Sequence, residues 1–177
     1  SRTCARFPQV RHYFFKLLGL NYFFPGIFHD HFMKEWDHYN NSYVDQVIGA
    51  FFLVRRSLFD MLKGFDEHFF LYFEEVDFSL RARRLGYMTL FLAETKAYHK
   101  GGGSSEAVKA ERLYYFMRSQ IVYGHKHYRK PALVMLILCT IILEPISRIV
   151  LGVLHRSSKE INECLKGYIM FLKSLFT

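Results

Sequence analysis

The sequence predicts an α/β segment that gives way to apolar helices. Three observations predict it. Residues 45–55 and 87–92 are rich in β-formers, among them Val47, Ile48, Phe51, Phe52, Leu53 and Val54 in the first run. Between them, 74–85 has an acidic start, a basic end at Arg81, Arg83 and Arg84, and Gly86 just beyond, the pattern of a dipole-matched helix closed by a glycine cap. Finally, 131–154 is strongly apolar. The expected organisation is one domain over 1–130 and an apolar, membrane-associated helical region over 131–177.

Residues 1–45 read as irregular and aromatic, with Pro8 and Pro25-Gly26 as turn markers and a helical stretch at 11–18. The strand at 45–55 contains a small-residue break, Gly49-Ala50. Ser57 is the expected cap of a short helix over 58–62, which Gly64 ends. After 74–85 come the strand at 87–92, a short third strand at 96–99, and a loop, Gly101-Gly102-Gly103-Ser104-Ser105. A long helix follows over 106–128 and Pro131 breaks it. Glu144-Pro145 and Arg148 interrupt the next apolar stretch, whose longest clean run falls short of the roughly 18 residues of a membrane span. This favours an element lying on a membrane or folded as a hydrophobic hairpin. Glu144 and Arg148, four apart, are positioned to pair on one helix face. A last amphipathic helix is expected over 158–176.

Composition narrows the function classes. Apolar residues form 51% of the chain and aromatics 18%, which excludes a disordered chain. Lys and Arg outnumber Asp and Glu by 24 to 16, a net charge of +8. Much of that charge brackets the apolar stretch, at 125–130 and 155–159, which points to a membrane surface rather than a nucleic-acid groove. The aromatics cluster with acids rather than with Lys and Arg, which also argues against nucleic acid. Cys4, Cys139 and Cys164 are far apart and odd in number, with no C-x-x-C, so a reducing compartment fits better than a disulfide framework or zinc site. No signal peptide is visible and Ser1-Arg2-Thr3-Cys4 holds no Met, so the expectation is a chain that starts inside a longer protein.

The densest chemical signal is 64–77. Asp66, Glu67, Glu74, Glu75 and Asp77 place five carboxylates in twelve residues, among aromatic rings. Aromatic walls desolvate a carboxylate, raise its pKa and improve it as a proton acceptor near neutral pH. In a helix starting at Glu74, Glu74, Asp77 and Arg81 share a face while Glu75 points elsewhere. One acid is then free to pair with Arg81 and another to face a cleft; alternatively, all of them serve the helix N-terminus. His99, before the glycine loop, reads either as a ligand for a divalent metal or as a linker histidine. Arg118 reads either as a phosphate contact or as part of a solvated helix face. Gly49 and Ala50 either admit a substrate to the backbone or serve packing.

Taken together, Gly49-Ala50, Arg55-Arg56, GFDEHFFLYFEEVDFSLRARRLGY, Ala97-Tyr98-His99 and GGGSS resemble the C-terminal half of family 2 glycosyltransferases, in the rhamnosyltransferase-like branch. The resemblance is dense from about Arg6 to Tyr128. It implies a GT-A fold, a Rossmann-like sandwich, and inverting transfer from a nucleoside diphosphate sugar to a hydroxyl of a glycan or lipid-linked glycan, at the cytoplasmic face of the inner membrane. It implies that Glu75 is the general base, where the family usually has Asp, with Glu74 and Asp77 as rivals. It implies a magnesium or manganese ion with His99 as ligand, Gly102, Gly103 and Ser104 over the diphosphate, and Asp66 and Glu67 on the acceptor side. Arg118 becomes a phosphate contact, and Gly49 and Ala50 line the acceptor cleft.

The family's nucleotide-binding half, with its Asp-x-Asp, has no counterpart here: no D-x-D occurs in the 177 residues. The resemblance therefore implies a partner half for nucleotide-sugar binding, and a chain inactive by itself. The competing expectation is a non-catalytic remnant that binds a partner or a glycan at the membrane.

Overall fold

The computed structural model describes residues 3–28, 31–33, 35–98 and 108–176. They fall into two compact units. One holds the described residues up to Phe69 together with 73–98; the other holds Phe70–Tyr72 together with 108–176. The long helix that precedes Pro131 belongs with the apolar helices that follow it, because it packs on them.

The first unit contains two small antiparallel sheets. Strands β1 (Cys4–Ala5) and β3 (Gln46–Val47) pair with Cys4 opposite Val47, and β2 (Ser42–Val44) pairs with β4 (Thr89–Phe91) with Tyr43 opposite Leu90. Helices α1 (Val10–Leu17) and α2 (Leu20–Phe23) lie between β1 and β2, where the sequence reads as largely irregular. The strand expected over 45–55 is limited to β3. Its partner β1 offers only two residues, and the small pair Gly49-Ala50 lets the chain turn through a single 3-10 turn, Gly49–Phe51. The 87–92 run shortens to β4 for the same reason, since β2 supplies three residues. Residues 96–98 form no strand, and His99 lies outside the described residues.

Helices α3 (Arg56–Met61) and α4 (Glu74–Arg84) form this unit's main core. Arg55, not Ser57, precedes the first turn of α3, and Ser57 sits inside it. Gly64 ends α3 as its sequence position predicts: at φ +72° its N–H donates to the Phe59 carbonyl at 2.9 Å. Phe78, 1% exposed, sits among the rings of Phe52, Phe59 and Phe65 at centroid distances of 5.5–5.8 Å. Burying such a ring stabilises by about 1.5–3 kcal/mol. Gly86, at φ +87°, closes α4, and the Tyr87 N–H returns to the Ala82 carbonyl at 3.1 Å.

The second unit is helical: α5 (Lys109–His127), α6 (Lys130–Leu138), α7 (Glu144–Leu154) and α8 (Ser158–Ser174). A π-helical turn, Cys139–Leu143, joins α6 to α7, so residues 130–154 form one continuous helix of 25 residues, long and apolar enough to cross a membrane. Ser157 caps α8 by accepting from the Glu160 N–H at 3.3 Å. Glu144 is 2% exposed and takes Arg148 Nε at 2.9 Å and its terminal nitrogen at 2.7 Å, the pairing expected from their spacing. The Tyr168 hydroxyl donates to the Thr140 carbonyl at 3.1 Å. Phe70–Tyr72 pack on α5, with Ser119 Oγ donating to the Leu71 carbonyl at 2.7 Å and the Phe70 and Tyr115 rings 4.8 Å apart.

Close helix approaches in this unit depend on glycine. A Cβ at Gly167 would stand 2.9 Å from the Ala110 carbonyl oxygen and 3.2 Å from Leu113 Cβ, so α5 and α8 would have to separate. Gly167→Ala is expected to lower the unfolding free energy by about 1–3 kcal/mol, outweighing alanine's better helix propensity. Denaturant unfolding followed by circular dichroism measures it; equal or greater stability would show that the two helices separate without loss.

Candidate active site

The acidic cluster lies at the start of α4, in the first unit. Phe73, immediately before the helix, has φ +69°, and Tyr72 before it has φ +68°. Two successive aromatic residues in the left-handed region are sterically costly, by about 1–3 kcal/mol each. Such strain persists only where surrounding structure imposes it, and no feature of the aromatic sequence announces it. No side chain caps this helix start. The helix start is instead matched by Glu74, Glu75 and Asp77 in the first turn, whose charge complements the helix dipole.

The three acids meet three different environments. Asp77 is 0% exposed, and its Oδ2 accepts from Arg81 Nε at 2.7 Å. Arg81 donates further to the carbonyls of Leu62 at 2.7 Å and Gly64 at 2.8 Å, and its guanidinium lies 5.5 Å from the centroid of the Phe78 ring. One guanidinium thus neutralises a buried carboxylate and satisfies the end of α3. Asp77 is committed to this anchor, which assigns it a structural task and sets it apart from the other two acids.

Glu75 faces the 3-10 turn. Its Oε1 accepts from the Gly49 N–H at 3.3 Å, while its Oε2 is buried and makes no hydrogen bond among the described residues. The backbone carbonyl of Glu75 accepts from Ser79 Oγ at 2.8 Å, which steadies this turn of helix. Glu74 Oε2 is also buried and unbonded. Burial pushes the Glu74 carboxyl above its usual range; a hydrogen bond from its own backbone N–H opposes this, and the neighbouring Glu75 charge adds to it. Two adjacent carboxylates, each with a buried unbonded oxygen, form a site with capacity to accept protons.

The other sequence candidates separate. Gly49 and Ala50 are exposed, and Gly49 joins Glu75 through its N–H, with room for a Cβ whose nearest neighbour atoms are 3.7 Å away. Asp66 shapes the loop between α3 and α4: its Oδ1 accepts the His68 N–H at 3.0 Å and meets His68 Nδ1 at 2.6 Å. Glu67 is exposed beside it. Arg118 is half-buried on α5 in the second unit. His99, Gly102, Gly103 and Ser104 lie outside the described residues. Among the described residues no group of three or more His, Cys, Asp or Glu side chains is placed to hold a metal ion.

Cys4 is fully buried, with its Sγ 3.2 Å from His38 Nδ1. Burial first, and the Glu35 charge second, push its thiol up to about 11, so it remains an unreactive thiol at neutral pH. It adds no nucleophile to the site.

Over 75 residues the chain is 31% identical to an N-acetylglucosaminyl-diphospho-decaprenol L-rhamnosyltransferase of Mycobacterium tuberculosis, in strains CDC 1551 / Oshkosh and ATCC 25618 / H37Rv alike, covering 42% of this chain and 24% of the relative. Over 65 residues it is 40% identical to Rhamnosyltransferase WbbL of Escherichia coli strain K12, covering 34% of this chain and 25% of the relative. The chain spans about a quarter of the length of the curated relatives it matches. No family profile matches it, and no solved structure does. The chain is thus glycosyltransferase-like over a partial stretch.

The anchor and the pair behave differently under mutation. Arg81→Leu leaves Asp77 buried without its guanidinium and strips the Leu62 and Gly64 carbonyls, so a loss of about 3–5 kcal/mol is expected by urea unfolding. An unchanged midpoint would mean that Asp77 is neutralised by other means. For Glu74 the raised pKa fixes the sign: its contribution is intact below the unfolded carboxyl pKa and is lost as pH rises through the higher folded value. Glu74→Gln should therefore stabilise the fold at about pH 7 while changing little at about pH 3. Equal effects at both pH values would rule out ionisation as the cause.

Proposed function

We propose that this chain is the acceptor-side part of an inverting glycosyltransferase, with Glu75 as the general base. Glu75 takes the proton of an acceptor hydroxyl as that oxygen bonds to the anomeric carbon and the nucleoside diphosphate leaves. The observation that carries the reading is the division of labour at the start of α4. Asp77 is sequestered by Arg81, whereas Glu75 is oriented by the Gly49 N–H and keeps its buried Oε2 unbonded. A base needs that combination of fixed direction and an open acceptor position.

The partial likeness to the two rhamnosyltransferases supports rhamnose as the sugar and a lipid-linked glycan or surface polysaccharide as the acceptor. On this reading the reaction takes place at the cytoplasmic face of a membrane, and the catalytic domain as a whole is a GT-A sandwich to which the two short sheets of the first unit belong. Nucleotide-sugar binding is assigned to a partner half, because these residues include no D-x-D. A magnesium or manganese ion enters the proposal only through His99, and the proton transfer to Glu75 does not depend on it.

The test uses the natural protein that carries these residues, assayed for rhamnose transfer from its thymidine diphosphate ester to a prenyl-diphosphate-linked acceptor. Glu75→Gln is expected to lower turnover by about 10²–10⁴-fold with nucleotide-sugar binding retained. Turnover equal to wild type would overturn the assignment of Glu75.

A further inference from the structure

The continuous helix 130–154 is apolar on the side it turns outward. Val134, Ile142, Ile146, Val150, Val153 and Leu154 are each at least half exposed. Glu144 is buried and pairs with Arg148, whose side chain is 43% exposed, and Tyr168 of α8 satisfies the Thr140 carbonyl beside them. The exposed charge in the middle of this helix, Arg148, is thus neutralised within the helix by a buried partner. Both ends are basic and exposed, with His125, Lys126, Arg129 and Lys130 at one and Arg156 and Lys159 at the other.

Length and composition alone would let this helix cross a bilayer, but its packing opposes that. Helix α8 runs back alongside it. A Cβ at Gly152 would stand 2.6 Å from Ile161 Cγ1, and Tyr168 reaches Thr140. Helix α8 carries Lys159, Glu160, Glu163, Lys166 and Lys173. It is pinned in turn to α5 at Gly167, against Ala110 and Leu113. Threading 130–154 through a bilayer would drag those charges into hydrocarbon or strip α8 from its partners, and either is costly. A helix with one apolar side, a packed polar side and basic ends suits the bilayer interface instead, lying in its plane.

We propose that the helical unit docks in the plane of an anionic membrane surface. The outward side of 130–154 enters the boundary between headgroups and acyl chains, and the basic residues at both ends lie on anionic headgroups. This stands apart from the sugar-transfer reading and is tested without any assay of activity.

The full chain is floated with vesicles of pure phosphatidylcholine and with vesicles containing about one-third phosphatidylglycerol. The expected result is binding to the anionic vesicles at least tenfold stronger than to the neutral ones, weakened by salt and released by alkaline carbonate. Ile146→Glu with Val150→Glu, both exposed, should abolish binding while circular dichroism and melting stay as in wild type. Should that variant fail to fold, Arg129→Glu with Lys130→Glu, at the exposed helix start, carries the test and should weaken anionic binding about tenfold. No binding to anionic vesicles, equal binding to neutral ones, or wild-type binding by folded variants would overturn the proposal. Resistance to carbonate would show a spanning helix and overturn it equally.

Discussion

The Arg81 guanidinium is the contact on which the arrangement of the first unit depends. It reaches across from α4 to close the end of α3, through the carbonyls of Leu62 and Gly64, while neutralising Asp77 within its own helix. A fully buried carboxylate is tolerable only with a partner of this kind, and removing the partner costs more than the pair contributes. The consequence is positional. With α4 tied to the end of α3 and Phe78 enclosed by Phe52, Phe59 and Phe65, the first turn of α4 is held beside the Gly49 turn. Glu75 owes its direction to an ion pair in which it takes no part.

The same logic explains why the acids at the helix start differ although the sequence presents them as near equivalents. Helical geometry sends Asp77 toward the anchor, and it is consumed there. Glu75 points the other way and finds a backbone N–H. Glu74 is left desolvated beside a like charge, which raises its pKa. The left-handed backbone at Phe73, itself 8% exposed, persists because the surrounding packing holds it.

The helical unit resolves a different conflict, between an apolar exterior and polar groups in its packed interior. Glu144, Arg148, Thr140 and Tyr168 satisfy one another where α8 lies against 130–154. Glycines 152 and 167 allow the helices to approach closely enough for those bonds to form. Polar satisfaction inside and apolar exposure outside therefore come from one packing arrangement.

Local signals were legible in the sequence wherever a residue acts on its own neighbours. The glycines at 64 and 86 ended their helices, Pro131 ended the long helix, and the four-residue spacing of Glu144 and Arg148 produced their pair. The helical stretch expected at 11–18 is α1, and the last helix expected at 158–176 is α8, whereas α2 had no signal in an irregular, aromatic segment. Strand length was not legible in the same way: 45–55 is rich in β-formers throughout, yet a strand extends only as far as its partner, and β1 offers two residues. The helix-start acids show the same division most clearly. By itself the sequence determined that Glu74, Glu75 and Asp77 would share the first turn of one helix and that Arg81 would share a face with Asp77, because both follow from spacing along a helix. Only the tertiary structure decided which acid Arg81 would consume, which would meet the Gly49 N–H, and which would be left desolvated, because each depends on what a distant segment brings to the side chain.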